Sequence, residues 1–117
     1  MATTLFILND PPYGTERSYN ALRCAGSLSK REGQQVKIFL IGDAASCAKA
    51  NQKVPPGYYN LEVMLRVAAG HGAEIGVCGT CMDARGIAQN ELAAGTQRGT
   101  LDQLTDWTVW ADKVLVF

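Results

Sequence analysis

Long apolar runs are missing from this 117-residue sequence, and so is any excess of charge of one sign. The first ten residues hold only a four-residue apolar run, residues 5–8, and no basic start, whereas a secretory signal has about 7–15 apolar residues behind positive charge. No stretch approaches the roughly 18 apolar residues of a membrane span. Eleven basic residues balance eleven acidic ones, so no field favours nucleic acid or an anionic membrane. We therefore expect a cytoplasmic protein without nucleic-acid or membrane partners.

Ligand-binding signatures are equally scarce. The sequence has no phosphate loop ending in Gly-Lys, and the stretch from Gly70 lacks the third glycine of a dinucleotide fingerprint, because Ile75 takes its place. With one histidine, His71, which lies between two glycines at a predicted helix end, a four-ligand zinc site is not expected. We predict no metal and no organic cofactor. In a reducing compartment the four cysteines are expected to be free thiols, a redox pair or ligands, and not disulfide staples.

The residues that are present suit one α/β domain spanning residues 1–117. Apolar residues make up 47% of the chain, enough for one core without disulfide or metal staples. Buried strands alternate with helices of 3.6-residue periodicity, which predicts a parallel sheet with helices on both faces. The predicted strands are 3–8, 36–41, 73–77 and 114–117. The predicted helices are 15–31, capped by Thr15, then 44–50, one from 61 to a stop at 70–72, a short one near 88–94, and a last one capped by Thr100.

Two segments follow predicted strands and carry chemistry, residues 9–14 and residues 78–86. The binding crevice of such sheets lies beyond the carboxyl ends of the strands. Cys78 ends the third predicted strand, and a thiolate is favoured there by a nearby cation, for which Arg85 is the candidate, and by backbone N–H groups. Cys81, three residues on, is placed to resolve a disulfide on Cys78. Gly79 and Gly86 allow tight turns around a bound group.

Each of these residues has a plainer interpretation. A cysteine at a strand end, such as Cys78, can also be a small buried apolar residue without a chemical role. Cys81 could be a packing residue of the loop. Arg85 could pair with Asp83 or tie down the loop, and the carboxylate of Asp83 commonly satisfies turn N–H groups. Tyr13 is as well suited to a lid on the core as to a pocket wall.

The remaining cysteines and the tryptophans have weaker claims. Cys24 and Cys47 are interpreted as surface or core fillers. Trp107 and Trp110, at helical spacing, indicate core or subunit interface. A nucleic-acid platform is not indicated, since no basic patch accompanies them.

Four segments resemble the DsrE/DsrF family, most closely its YchN-like branch. They are residues 78–87 (Cys-Gly-Thr-Cys-Met-Asp-Ala-Arg-Gly-Ile), 12–15 (Pro-Tyr-Gly-Thr), 57–60 (Gly-Tyr-Tyr-Asn) and 111–117 (Ala-Asp-Lys-Val-Leu-Val-Phe). The resemblance implies a three-layer α/β/α domain with a five-stranded parallel sheet and flavodoxin-like layering. It also implies a homo-oligomer, a trimer or hexamer, and in sulfur-relay members a persulfide at the position of Cys78.

We therefore predict catalytic roles for Cys78 and Cys81. The predicted substrate-binding residues are Tyr13, Gly14, Gly79, Thr80, Asp83, Arg85 and Gly86. The leading hypothesis is a sulfurtransferase that accepts sulfane sulfur from a protein donor and passes it to a protein thiol. The alternatives are a non-catalytic assembly or small-ligand binding protein, and dithiol redox chemistry by the two cysteines. The last lacks the proline that thioredoxin-like proteins set beside the pair, because none follows Pro56.

Overall fold

The computed structural model describes all 117 residues and contains one sheet of five parallel strands in the order β4-β3-β2-β1-β5. The first four strands lie side by side in chain order, and the connection from β4 to β5 crosses from one edge to the other. The prediction of a five-stranded parallel sheet is confirmed. The strands are β1 (Ala2–Leu8), β2 (Gln34–Leu40), β3 (Glu74–Cys78), β4 (Thr96–Gly99) and β5 (Lys113–Val116).

Four α-helices connect these strands, with two short 3-10 segments, Gly42–Ala48 and Gln89–Glu91. None of the helices is long and apolar enough to cross a membrane. The helices are α1 (Arg17–Ser29), α2 (Leu61–Gly70), α3 (Gly79–Ala84) and α4 (Leu101–Trp110).

One face of the sheet carries most of the core. Helices α1, α2 and α3 and the first 3-10 segment pack on it, and 20 buried residues form a single cluster there. The cluster is built of strand residues such as Phe6 and Ile38 and helix residues such as Leu22, Leu65 and Met82. Burial on this scale is the dominant stabilising contribution to a domain of this size.

The opposite face is covered by α4 alone. Trp107 packs edge-on against Phe39, with ring centroids 6.0 Å apart, and these two form a small cluster with Leu5. Helices therefore lie on both faces, as the three-layer prediction required, but the two layers are very unequal. The α4 layer leaves the carboxyl ends of β2, β3 and β4 accessible.

The helix predicted at 44–50 is the 3-10 segment Gly42–Ala48, and of the two predicted helix caps one is confirmed. The hydroxyl of Thr100 accepts a hydrogen bond from the Gln103 N–H at 3.1 Å, so the predicted cap of the last helix is confirmed. The predicted cap of α1 is wrong. The helix begins at Arg17, and the Thr15 hydroxyl instead donates to the Asp10 carboxylate at 2.7 Å.

The region after Cys78 differs most from the sequence prediction. The glycine-rich stretch expected as a loop forms the short helix α3 directly after β3. The helix predicted near residues 88–94 shrinks to the 3-10 turn Gln89–Glu91, and β4, which the hydrophobic pattern did not predict, follows it. The strand escaped notice because its four residues, Thr-Gln-Arg-Gly, are mostly polar and lie at a sheet edge.

Candidate functional site

Cys78 is the last residue of β3 and immediately precedes α3. Its side chain is partly exposed and packs beside the small cluster on the α4 face of the sheet. The strand on one side and the helix on the other fix its backbone, so the sulfur is held firmly at the carboxyl edge of the sheet. Partial exposure and rigid presentation are what a reacting thiol requires.

The surroundings of Cys78 favour its thiolate. Burial alone would raise the pKa, but hydrogen bonds from the Cys81 and Thr80 side chains and from their backbone N–H groups outweigh it. The pKa of Cys78 is therefore lowered below that of an ordinary thiol. The Thr80 hydroxyl lies 3.3 Å from the Cys78 sulfur. The predicted residue Thr80 is thus in direct contact with the candidate nucleophile.

Cys81 is placed one turn into α3 and is the more strongly protonated thiol of the two. Burial and its hydrogen bond to Cys78 raise the pKa of Cys81, against the Gly42 N–H, which donates to its sulfur at 3.1 Å. Its side chain packs toward the large core, whereas Cys78 faces α4. The pair thus combines a thiol of lowered pKa with a neighbouring proton donor.

A cavity of about 370 Å³ opens beside Cys78 on the α4 face. Small-molecule sites in proteins begin at about 300 Å³ and are mostly apolar with a few polar groups, and this cavity fits that description. It lies beyond the carboxyl ends of β2, β3 and β4, where ligands bind in sheets of this class. Its lining comprises Phe39, Ile41, Cys78, Gly79, Thr80, Cys81, Arg98, Gly99, Thr100, Leu101 and Leu104.

Arg98 is the cation of this cavity, and the sequence analysis missed it. Its Nη1 and Nη2 atoms donate to the two Asp83 carboxylate oxygens at 2.8 and 2.9 Å. These hydrogen bonds hold the pKa of Asp83 below its usual range. A Cβ on Gly79 would lie only 2.8 Å from the guanidinium carbon, so the absence of a side chain at Gly79 leaves room for the Arg98 guanidinium. A prediction of β4 would have placed Arg98 near Cys78, because the next residue, Gly99, pairs with Cys78 across the sheet.

Arg85 lies elsewhere in the site. Its Nε and Nη2 atoms donate to the Asp43 carboxylate at 3.2 and 2.6 Å, and its Nη1 donates to the Cys81 carbonyl at 3.0 Å. The alternative that paired Arg85 with Asp83 is wrong, because Arg98 takes that carboxylate. Arg85 thus fastens the end of α3 to the first 3-10 segment. The turn after it requires Gly86, whose φ is +66°.

Tyr13 and Gly14 do not line the cavity. The Tyr13 hydroxyl donates to the Gln52 side chain and accepts from the Leu61 N–H, and its ring lies against Tyr59 with centroids 5.8 Å apart. Because the chain after β1 turns toward the α1 and α2 layer, this segment lies on the face opposite Cys78. The structure therefore does not bring the two predicted loops together in one pocket.

The other two cysteines are far less suited to chemistry. Cys47 is fully buried, and burial raises its pKa to about 12. Cys24 is exposed on α1, away from the cavity. No group of three or more histidine, cysteine or acidic side chains is arranged to hold a metal ion.

The two tryptophans and the histidine also lie outside the cavity. Trp107 is core, and Lys37 lies over both indole rings, 5.2 Å from Trp107 and 4.2 Å from Trp110. The backbone N–H of His71 caps the end of α2, in agreement with the sequence.

Comparisons with known proteins place this geometry in context. A model of the DsrE/DsrF-like family matches residues 3–117. Protein YchN of Escherichia coli K12 is 37% identical over 118 residues, covering 100% of both chains, and its crystal structure superimposes with a TM-score of 0.94. The uncharacterized protein MK0008 of Methanopyrus kandleri is 36% identical over 111 residues, covering 95% of this chain and 90% of its own. MTH1491 of Methanobacterium thermoautotrophicum, a protein of unknown function, shares the fold at 9% identity and a TM-score of 0.76, with both chains fully covered.

Proposed function

Because this chain belongs to the DsrE/DsrF-like family, we propose that it carries sulfane sulfur as a persulfide on Cys78 and passes it to a protein thiol. The observation that carries the proposal is the lowered pKa of a partly exposed cysteine at the mouth of a cavity. A thiolate, not a thiol, is the nucleophile in sulfur exchange. The surroundings of Cys78 favour that form by lowering its pKa, whereas those of Cys47 and Cys81 raise the pKa of their thiols.

The reaction needs no oxidant. The Cys78 thiolate attacks the outer sulfur of a donor persulfide R–S–SH, a sulfur–sulfur bond forms to Cys78, and the donor sulfur–sulfur bond breaks with R–S⁻ as the leaving group. An acceptor thiolate then attacks the outer sulfur, and Cys78 leaves as a thiolate. The hydrogen bonds from Thr80 and Cys81 stabilise Cys78 each time it carries the negative charge.

Dithiol chemistry is the second candidate, because the Cys81 thiol is hydrogen-bonded to Cys78. In that case Cys81 would attack a disulfide on Cys78 and release the bound thiol. Substituting Cys81 by Ser separates the two functions. Persulfide loading on Cys78 should survive the change, and turnover of a disulfide substrate should stop.

We also propose that the chain works as a cytoplasmic homo-oligomer, a trimer or hexamer. Apolar side chains on the thinly covered face support this, since Val109 is 83% and Val116 64% exposed. Burial of such side chains against another subunit would remove apolar area from water and stabilise the assembly. Sedimentation velocity gives the subunit number directly, and a protein that stays monomeric at all concentrations would contradict the proposal.

The central test is intact-mass analysis after incubation with inorganic polysulfide. Wild type should gain one sulfur, Cys78→Ser should gain none, and Cys24→Ser, which removes an exposed thiol distant from the cavity, should behave as wild type. Peptide mapping assigns the added sulfur. Sulfur added mainly to Cys24, or equally to the Cys78→Ser variant, would rule out Cys78 as the carrier.

A further inference from the structure

The cavity beside Cys78 has two chemically different walls. Ile41, Leu101 and Leu104 supply an apolar wall, and the guanidinium of Arg98 supplies a charged one over Gly79. Cys78 lines the same cavity, so a ligand that contacts both walls also lies beside the Cys78 sulfur. A cavity that served only inorganic sulfur would not require an apolar wall of this extent.

Arg98 retains binding capacity although it is paired. A guanidinium has five N–H donors, and Asp83 takes one from each of Nη1 and Nη2. Three donors remain on a side chain that is 38% exposed. The carboxylate of Asp83 thus orients the planar group and leaves part of its edge open, a geometry suited to a second carboxylate or a sulfonate.

The space for Arg98 depends on Gly79. With any side chain at residue 79 the first carbon would lie within 2.9 Å of three guanidinium atoms, so the Arg98 guanidinium would have to shift from its present position. The residue directly after the reacting cysteine is therefore the one that admits the cation. This coupling ties Arg98 to the site and distinguishes it from an incidental surface arginine.

We infer that the sulfur donor at Cys78 is a small organic persulfide with an apolar body and an anionic group, the body lying on Ile41, Leu101 and Leu104 and the anion on Arg98. The inference rests on the proposed persulfide function and specifies a small-molecule donor in place of the protein donor expected from the sequence. The bond changes are those given above, with R–S⁻ retaining the carboxylate or sulfonate. Arg98 is accordingly a specificity-determining residue.

The test compares two aromatic disulfides that report thiolate attack by colour. Dithiobis(nitrobenzoate) carries a carboxylate on each ring, and dithiodipyridine is uncharged. The ratio of their rate constants cancels the thiolate fraction of Cys78, because both reagents react with the same ionised sulfur. A background with Cys24→Ser and Cys81→Ala leaves Cys78 as the accessible thiol, since Cys47 is buried.

Arg98 must be removed without leaving Asp83 as an unpaired negative charge. The matched pair is therefore Asp83→Asn alone and Asp83→Asn with Arg98→Gln. Asp83→Asn should keep or raise the ratio in favour of the carboxylated reagent. The double variant should lower it about fivefold, the size typical of an exposed charge pair. Arg98→Lys in the Asp83→Asn protein should retain part of the preference.

An equal ratio in the single and double variants would overturn the inference. Its failure is separable from failure of the proposed function, because loading of Cys78 by inorganic polysulfide needs neither the apolar wall nor the guanidinium. A protein that takes up polysulfide sulfur but shows no charge preference loses only the inference. One that shows the preference but forms no persulfide loses only the proposed function.

Discussion

The two faces of the sheet differ in how completely they are covered. On one face, three helices and a 3-10 segment bury a cluster of 20 residues; on the other, a single helix completes a cluster of three. Cys47 lies in the first and is fully buried, and Cys78 borders the second and is partly exposed. The same chemical group is thus inert on one side and accessible on the other.

This difference follows from topology. The connections that join β1 to β4 in chain order all return over the same face, so their helices accumulate there. Only the crossover from β4 to β5 passes over the second face, and it supplies only α4. The cavity therefore forms where one helix is too few to cover three strand ends, and stability and reactivity are assigned to opposite faces.

The largest expected effect concerns packing. Leu65→Ala on α2 should lower the free energy of unfolding by about 2–5 kcal/mol, because a fully buried leucine leaves a cavity in a dense core. Leu104→Ala on α4 should lower it by only about 1 kcal/mol, because that side chain is half-buried. Urea unfolding followed by circular dichroism measures both. Equal losses would show that α4 contributes as much to stability as the thicker layer.

The next largest expected effect is the pH dependence that Cys47 and Cys78 give to the free energy of unfolding. Burial raises the folded pKa of Cys47 to about 12, so its stabilising contribution is complete below the ordinary thiol pKa and is lost as pH rises toward 12. In that window the free energy of unfolding should fall by about 1.4 kcal/mol per pH unit because of Cys47. Cys78 has the opposite sign, because its lowered pKa makes a contribution that is present above the ordinary thiol pKa and lost as pH falls through the folded value.

Urea unfolding between pH 8 and 11 checks this, with Cys47→Ala as the control. Other groups also titrate there, but the control shares them. The difference between the two proteins should therefore isolate the Cys47 slope. Parallel curves would contradict the burial assigned to this thiol.

The central architecture was predictable because buried parallel strands and amphipathic helices have strong periodic signals. Residues 3–8 and 73–77 were assigned to strands on that basis, and Cys78 fell at a strand end as expected. The fifth strand in the prediction came from family resemblance and not from hydrophobicity, since β4 is a short, polar edge strand. A strand at the edge of a sheet has only one neighbouring strand and needs no apolar run, so the hydrophobic pattern does not indicate it.

The partners of charged side chains could not be predicted. Asp83 and Arg85 are two residues apart, which suggested a pair, but α3 directs them to Arg98 and Asp43 instead. Both true partners are distant in sequence and meet only because parallel strands end at one edge. Tyr13 was misplaced for a similar reason, because which face a loop turns toward depends on the helix that follows it.

The smallest expected effect separates the two arginines. Arg85→Gln removes a partly exposed ion pair with Asp43, so the free energy of unfolding should fall by less than about 1 kcal/mol. The alkylation rate of Cys78, followed by site-resolved mass spectrometry, should stay at the wild-type value, because Arg85 contacts Cys81 and the first 3-10 segment. Arg85→Lys serves as the control that keeps the charge. A large drop in the Cys78 rate with Gln but not with Lys would make Arg85 the cation of the reacting sulfur, and the division of roles between Arg85 and Arg98 would have to be reversed.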